Sequence, residues 1–353
     1  MKPIEIIIKE PNRIEYKSCR ERRLKPNQVR ANALASGISH GTELNLFKGT
    51  APFYDKIFDL KNRLFLKGEN FSSYPMNLGY EWVGRVVEIG ENVKKFKRDD
   101  IVHLPLGHRT SHTFFEDMET MYGKIEPLPE NFDTDQAIFL ALAGVALQAV
   151  HDAHIKLGDR IIIFGLGTLG LIILQLAKLN GAIWIDAVDP IPKRRALAEK
   201  LGANKTYDPI DCDVGMELKT NDSHEGADIA IEASGNYKAL HDAIRSVKMA
   251  GTVVAAGFYQ GSAEGLRLGE EWHHNRITLY SSMGVWGCPH RGYPNWDRDR
   301  IHNVVIKLFQ ENKLSIENFI THKIPFQKAQ EAYELIDNNP EEVIKVILTY
   351  DKA

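Results

Sequence analysis

Gly165, Gly167 and Gly170 stand in the order Gly-Leu-Gly-Thr-Leu-Gly, and an acid, Asp189, follows nineteen residues after the last of them. Glycines at this spacing serve three ends. The first lets the chain turn, the second lets backbone approach a pyrophosphate, and the third lets a helix lie close on a strand. The N–H groups of Thr168 and Leu169 would then open that helix and face the anion with its positive end. A carboxylate at Asp189 can accept both hydroxyls of an adenosine ribose and repels a 2′-phosphate, so the expected cofactor is NAD. Arg194, in the helix after that acid, and Ser234 and Gly257, at the ends of later strands, complete the expected cofactor set.

Such residues need strands and helices to hold them, and the local pattern supplies both. Residues 160–164 are a β-branched apolar run, the glycines follow at once, and Leu169, Ile172, Ile173, Leu176 and Leu179 recur at helical spacing until Asn180-Gly181. Further strands are expected at 182–188, 228–232, 251–257 and 277–281, with a helix at 237–248. Alternation of this kind makes an α/β doubly wound parallel sheet of the Rossmann type. The first 125 or so residues read differently. Strand-like runs at 28–35, 80–89 and 101–104, separated by turn residues, indicate a compact β domain. Between them residues 49–77 carry Phe53, Tyr54, Phe58, Leu60, Phe65 and Tyr74 without a clear period, as a lid over a site or a surface insertion would. The tail returns as helices at 301–312 and 327–338 and a closing strand at 343–348.

Composition sets the outer limits. A chain of 353 residues with 43% apolar and 26% charged content is ordinary globular material, long enough for two domains. A net charge of −3 with interspersed signs gives no footprint for nucleic acid or an anionic membrane. Three cysteines far apart, without any C-x-x-C pair, indicate neither a disulfide framework nor a thiolate zinc lobe, and a cytoplasmic setting is expected. The longest apolar run, 137–150, has the length of a buried helix.

Gly41-Thr-Glu43, Leu78-Gly-Tyr-Glu81, Val83-Gly-Arg-Val-Val-Glu-Ile-Gly90, Lys156-Leu-Gly-Asp159 and Ile231-Glu-Ala-Ser-Gly235 resemble landmarks of the medium-chain dehydrogenase/reductase superfamily. The resemblance spans essentially the whole chain. It implies a GroES-like catalytic domain from residues 1–130 and 286–353, a Rossmann domain from 131–285, and a homodimer or homotetramer. The departures are informative. Where zinc-dependent members carry a cysteine before Gly-Thr, a histidine before Glu, and a third Cys or acid ahead of the nucleotide domain, this chain has His40, Tyr80 and either Leu140 or Ala141. A catalytic zinc needs three protein ligands at about 2.0–2.3 Å. No metal is therefore expected, although His40, Glu81 and a distant side chain such as His112 could rebuild a site. Without zinc, His40 becomes the candidate base, Thr42 its relay, Tyr80 the group that donates to or orients the reacting oxygen, and Glu81 an orienting carboxylate.

A narrower resemblance concerns the substrate. Gly49-Thr-Ala-Pro-Phe53, Glu264-Gly-Leu-Arg-Leu-Gly269, Trp272-His-His-Asn275 and the segment 293–301 are similar to a zinc-poor branch that oxidises ring hydroxyls of sugars, notably glycoside 3-dehydrogenases. Aromatic faces and polar side chains suit sugars, so Glu43, His273, Asn275 and Trp296 are the expected contacts of a small carbohydrate substrate. Two rival readings stay open. One is a zinc-free enone or quinone reductase using NADPH, against which Asp189 argues. The other is a non-catalytic NAD-binding protein, in which the polar set around His40 would have no reason to converge.

Overall fold

The computed structural model describes residues 2–20, 22–51, 56–67, 74–220, 225–284 and 288–351. The chain divides into two compact units, residues 1–141 with 298–353, and residues 142–297. The first opens with β1 (Ile4–Glu10), β2 (Arg13–Ser18), β3 (Gln28–Gly37) and α1 (His40–Lys48). A ribbon of β4 (Lys56–Asp59) and β5 (Leu64–Lys67) follows, then β6 (Met76–Asn77), β7 (Trp82–Ile89), β8 (Ile101–Leu104) and β9 (Ser111–Phe115). A small hairpin, β10 (Glu119–Thr120) with β11 (Gly123–Lys124), and the helix α2 (Thr134–Ala137) come next, and nearly all of α3 (Leu140–Asp152) already belongs to the second unit.

The second unit holds β12 (Arg160–Phe164), α4 (Thr168–Leu179), β13 (Trp184–Val188), α5 (Pro192–Leu201), β14 (Lys205–Tyr207) and α6 (Val214–Thr220). It continues with β15 (Ala227–Glu232), α7 (Tyr237–Ser246), β16 (Val247–Ala255), α8 (Glu271–His274) and β17 (Thr278–Ser281). Its six strands are all parallel, in the order β14-β13-β12-β15-β16-β17. That order reverses direction between β12 and β15, which is where open α/β sheets bind ligands, beyond the carboxyl ends of the strands. All five residues of β12 are buried, as a central parallel strand covered on both faces requires. The helix expected at 237–248 stops at Ser246, because Val247 adopts extended geometry (φ −90°, ψ 152°) and starts β16 four residues ahead of the expected strand.

The chain then re-enters the first unit through α9 (Arg298–Gln310), β18 (Ile320–Pro325), α10 (Ala329–Asn338) and β19 (Lys345–Thr349). Strand β3 is the hub there, since β7, β9 and β19 all pair with it antiparallel. Its alternate residues Val29 and Ala31 are buried with Trp82, Val86, Phe96, Val102 and Phe114. Trp82 is fully covered and donates its indole N–H to the Arg109 carbonyl at 2.7 Å. Burial of a ring that size contributes roughly 4–6 kcal/mol before entropy is counted. The aromatic stretch between β3 and β7 is in part an insertion: Phe58 and Phe65 pack across the β4–β5 ribbon at 4.9 Å, while Leu60, Leu64 and Leu66 stay exposed. Phe53 and Tyr54 lie outside the described residues. Among the described residues no helix is long and apolar enough to cross a membrane.

One buried pair predicts acid sensitivity for the first unit. His103 of β8 faces His302 of α9 with ring centroids 6.3 Å apart. Burial, and then the neighbouring His302, push His103 down to about 3. Burial also lowers His302, against the opposing pull of Asp299 and Glu126. A folded-state value below the unfolded one, near 6.5, means the contribution is intact above that pH and is lost as pH falls toward 3. Thermal melts between pH 7 and pH 4 should therefore show a steep acid loss in the native chain and a shallower one in His103→Gln. Identical acid limbs in the two proteins would mean that this pair does not set the sensitivity.

Candidate active site

The residues expected to hold the cofactor converge at the carboxyl ends of the parallel strands. Gly165 turns the chain out of β12 at φ +87°, and a Cβ on Gly170 would overlap the Gly165 carbonyl oxygen, so helix and turn approach as only glycine allows. Gly167 is the N-cap of α4 and brings no side chain to the first-turn N–H groups of Thr168, Leu169 and Gly170. Asp189, 3% exposed at the end of β13, accepts from Leu166 N at 2.7 Å and from Ile191 N at 2.9 Å. Each of its oxygens keeps lone-pair capacity beyond these bonds. Arg194 stands 3.7 Å from it, while Arg195 holds Asp208 at 2.8 Å. At the next strand end, buried Glu232 accepts from Ser234 N at 2.7 Å and from the Ser234 hydroxyl, and its backbone carbonyl accepts from Gly257 N at 2.9 Å. Burial raises the Glu232 carboxyl above its ordinary range, and the bonds from Ser234 and Tyr259 oppose that. A Cβ on Gly165 would collide with Ser234, so any other residue at this turn would be obstructed. Every glycine and polar residue named for the cofactor thus belongs to one patch of backbone around β12, β13, β15 and β16.

In the first unit, β3 leads through Ile38 to Ser39, the N-cap of α1, and His40 and Thr42 lie half-buried in that helix's first turn. The turn before β7 delivers Tyr80, whose phenol hydrogen-bonds the Ser39 hydroxyl. The opposite chain neighbour, Glu81, is fully buried and forms an ion pair with Lys345, itself 1% exposed, at the start of β19. Lys345 Nζ also donates to the Ile38 carbonyl at 2.9 Å. A Cβ on Gly37 would intrude on both charged groups, which is why that strand position is glycine. Burial raises the Glu81 carboxyl, and the Lys345 ammonium opposes that rise. Tyr80 is held well above the usual phenol range by burial, then by Tyr122 and by the Glu81 charge. Tyr122, at the tip of the β10–β11 hairpin, stacks on Tyr80 at 5.8 Å with planes 13° apart. The hairpin is tied down by Asp299 of α9, which accepts from Lys124 N at 2.9 Å.

Five side chains named for substrate or metal have other surroundings. Glu43 is 1% exposed and spent on structure. It accepts from Ser39 N at 2.8 Å, reaching back to the start of its own helix, and from His108 Nε2 at 2.9 Å and Tyr333 OH at 2.5 Å. His273 and Asn275 belong to α8 and the turn before β17, at the amino ends of the parallel strands, with Asn275 O accepting from Ala250 N at 2.8 Å. Gly165, Asp189 and Ser234 follow the opposite ends of the parallel strands. Trp296 packs edge-on against His151 at 4.3 Å and lies 6.2 Å from His290, an anchor for the segment that carries it. His112 sits on β9, its Nε2 bound to the Gly107 carbonyl at 2.8 Å and its ring edge-on to Trp82, and burial pushes it down to about 4. Missing from the sequence reading are Ser39, Tyr122 and Lys345. Only Lys345 left a trace, as a lone cation in the apolar run Val343-Ile-Lys-Val-Ile-Leu348.

Residues 168–296 match the family described as zinc-binding dehydrogenase. The chain is 32% identical to the D-guloside 3-dehydrogenase of Escherichia coli (strain K12) over 347 residues, 96% of both chains. It is 29% identical to the (R,R)-butanediol dehydrogenase of Bacillus subtilis (strain 168) over 335 residues, 88% of this chain and 89% of that one. The crystal structure of galactitol-1-phosphate dehydrogenase from Escherichia coli superposes with a TM-score of 0.77 at 19% identity, covering 98% and 99% of the two chains.

Proposed function

This chain belongs to the zinc-binding, medium-chain dehydrogenase family and is a nicotinamide-dependent oxidoreductase of secondary alcohols, and from that premise we propose that it oxidises a hydroxyl of a sugar, glycoside or polyol to the ketone, using NAD and no catalytic zinc. The observation that carries the reading is the pairing of Tyr80 with Ser39 beside the Glu81–Lys345 ion pair. A zinc centre would need donors, and these donors are committed. The Glu81 carboxylate already faces an ammonium, the Tyr80 hydroxyl faces Ser39, and Leu140 and Ala141 bring none. Among the described residues, the three ligand atoms that do lie within reach of one ion are on His241, Glu270 and Glu271, in the other unit.

The glycine turn and the first-turn N–H groups of α4 would hold the pyrophosphate of a bound dinucleotide, whose nicotinamide would supply the hydride acceptor. The protein's own work is to hold the alcohol oxygen and move its proton. Tyr80, kept protonated, donates a hydrogen bond to that oxygen and is oriented by Ser39. His40, one residue from Ser39, takes the proton. The Lys345 ammonium opposes the rise that burial imposes on the Glu81 carboxyl, next in the chain to Tyr80. The sugar class rests on the 32% identity to the guloside enzyme.

The test is NAD reduction over a panel of glycosides, free sugars and polyols, run before and after exhaustive dialysis against a chelator. Sugar-dependent NADH formation that survives dialysis is expected. Activity lost with the metal and restored by zinc would replace this mechanism with a Lewis-acid one. The cofactor choice has its own check. Asp189→Ala should weaken NAD about 10- to 100-fold, as loss of charge-assisted bonds to the ribose predicts, while NADP changes far less in the same fluorescence titration. An unaltered preference would remove Asp189 from cofactor selection.

A further inference from the structure

Residues 259–275, including the Glu264-to-Gly269 and Trp272-to-Asn275 motifs, have no part in the reaction above. They fold against α7 where the parallel strands begin, around a cavity of about 480 Å³ walled by His241, Arg245, Arg267, Glu270 and Glu271 among others. The His241 side chain, from α7, is 13% exposed. Glu270 and Glu271 come from the start of α8. One ligand atom on each of the three lies within 4.8 Å of the other two.

One separation is close to that between two ligands of a metal ion. His241 Nε2 and Glu270 Oε2 stand 3.6 Å apart, too far for a hydrogen bond. Two ligands about 2.0–2.1 Å from one tetrahedral ion are separated by roughly 3.3 Å, so this pair needs a shift of only a few tenths of an ångström, and the Glu271 oxygen lies within 4.8 Å of both. The carboxylates are also held from outside. Arg267 contacts Glu270 Oε1 at 3.4 Å, and Arg245 Nε donates to Glu271 Oε1 at 3.3 Å. Arg245 is in turn shared with Asp213 at 2.7 Å, so its charge is not directed at the triad alone. Each glutamate therefore commits one oxygen to an arginine and keeps the other. Glu271 Oε2 is enclosed and accepts no hydrogen bond, and His241 Nδ1 is likewise enclosed without a partner. Outer hydrogen bonds that fix first-sphere carboxylates are the usual company of a bound metal.

The geometry points to a divalent-metal site, of the kind zinc fills, formed by His241, Glu270 and Glu271 with a fourth position open to the cavity. One imidazole and two carboxylates suit zinc, and three protein ligands with an open place are within its habit. The site lies at the strand ends opposite the glycine loop, so the ion clips α7 to α8 and takes no part in hydride transfer. It is independent of the zinc-free reading of the Tyr80 centre.

The experiment uses the full chain, stripped with a chelator and titrated with zinc alone, with thermal unfolding and bound metal per chain as readouts. At a zinc concentration about 100-fold above its Kd, the native chain should gain on the order of 5 °C, and should retain close to one ion after gel filtration. His241→Ala and Glu271→Gln should lose both the gain and the ion while keeping their metal-free melting temperature and their NAD reduction rate. Zinc retained equally by both variants would place the ion elsewhere, and no retention or thermal gain in the native chain would remove the site altogether.

Discussion

Tyr80→Phe is expected to lower kcat for the best glycoside by about 100-fold or more, the usual worth of a positioned proton donor, with little change in melting temperature. The substitution keeps the ring that stacks on Tyr122 and removes only the hydroxyl that meets Ser39. Because burial and neighbouring negative charge hold the phenol far above its ordinary range, it does not titrate between pH 6 and pH 10. The alkaline limb of the rate profile should therefore stay in place in Tyr80→Phe, at a lower plateau. His40→Ala should instead abolish the acid limb, since the imidazole is the group that must be neutral to accept a proton. A Tyr80→Phe enzyme within twofold of the native rate would reduce Tyr80 to a packing residue and leave the donor unassigned.

Lys345→Met should be the most destabilising single change, about 3–5 kcal/mol, because it strands a buried carboxylate without its cation. The pH dependence gives the result its signature. Glu81 already sits above its ordinary value through burial, and removing the ammonium raises it further. For an acid whose folded-state value is raised, stability is intact below the unfolded value, near 4.3, and falls as pH climbs through the folded one. The deficit of Lys345→Met should therefore be largest at pH 8 and shrink toward pH 5, as denaturant titrations would show. The double variant Lys345→Met with Glu81→Gln should recover much of the loss, since an amide tolerates that site better than an unpaired charge. A deficit that is flat with pH would mean the lysine contributes by packing.

The nucleotide half was legible because each of its decisions is local. A strand, a glycine turn and a helix follow one another within residues 160–179, and periodicity alone separates them. The parallel sheet, its strand order and the convergence of Gly165, Asp189 and Ser234 then follow from the right-handed crossover rule. The catalytic unit resisted reading because its contacts are remote. Ser39 meets Tyr80 across 41 residues, Glu43 meets Tyr333 across 290, and Glu81 meets Lys345 from the other end of the chain. Glu43 looked functional for the same reason that it is buried: a carboxylate after a helix start can turn back to the N-cap, and a turned-back acid is withdrawn from substrate. His273 and Asn275 could have been placed better from sequence alone. They precede the strand at 277–281, and in a parallel sheet a residue before its strand lies at the end away from the cofactor.

The partition of the chain also governs how the enzyme comes into being. Residues 142–297 form a continuous unit whose six-stranded sheet needs nothing that follows it, whereas β3 remains short of a partner until β19 has been synthesised. A growing chain can thus complete its cofactor platform while the strand that will bear Lys345 does not yet exist. During that interval Glu81 has no cation and the edge of β3 that β19 will cover is open, so the nascent protein holds an unpaired strand and an uncompensated acid together. Translation speed through residues 298–345 then becomes a determinant of yield: slow passage there lengthens the life of an aggregation-prone intermediate, and C-terminal fusions that hinder the docking of β19 would deplete active enzyme without altering a single residue of its catalytic centre.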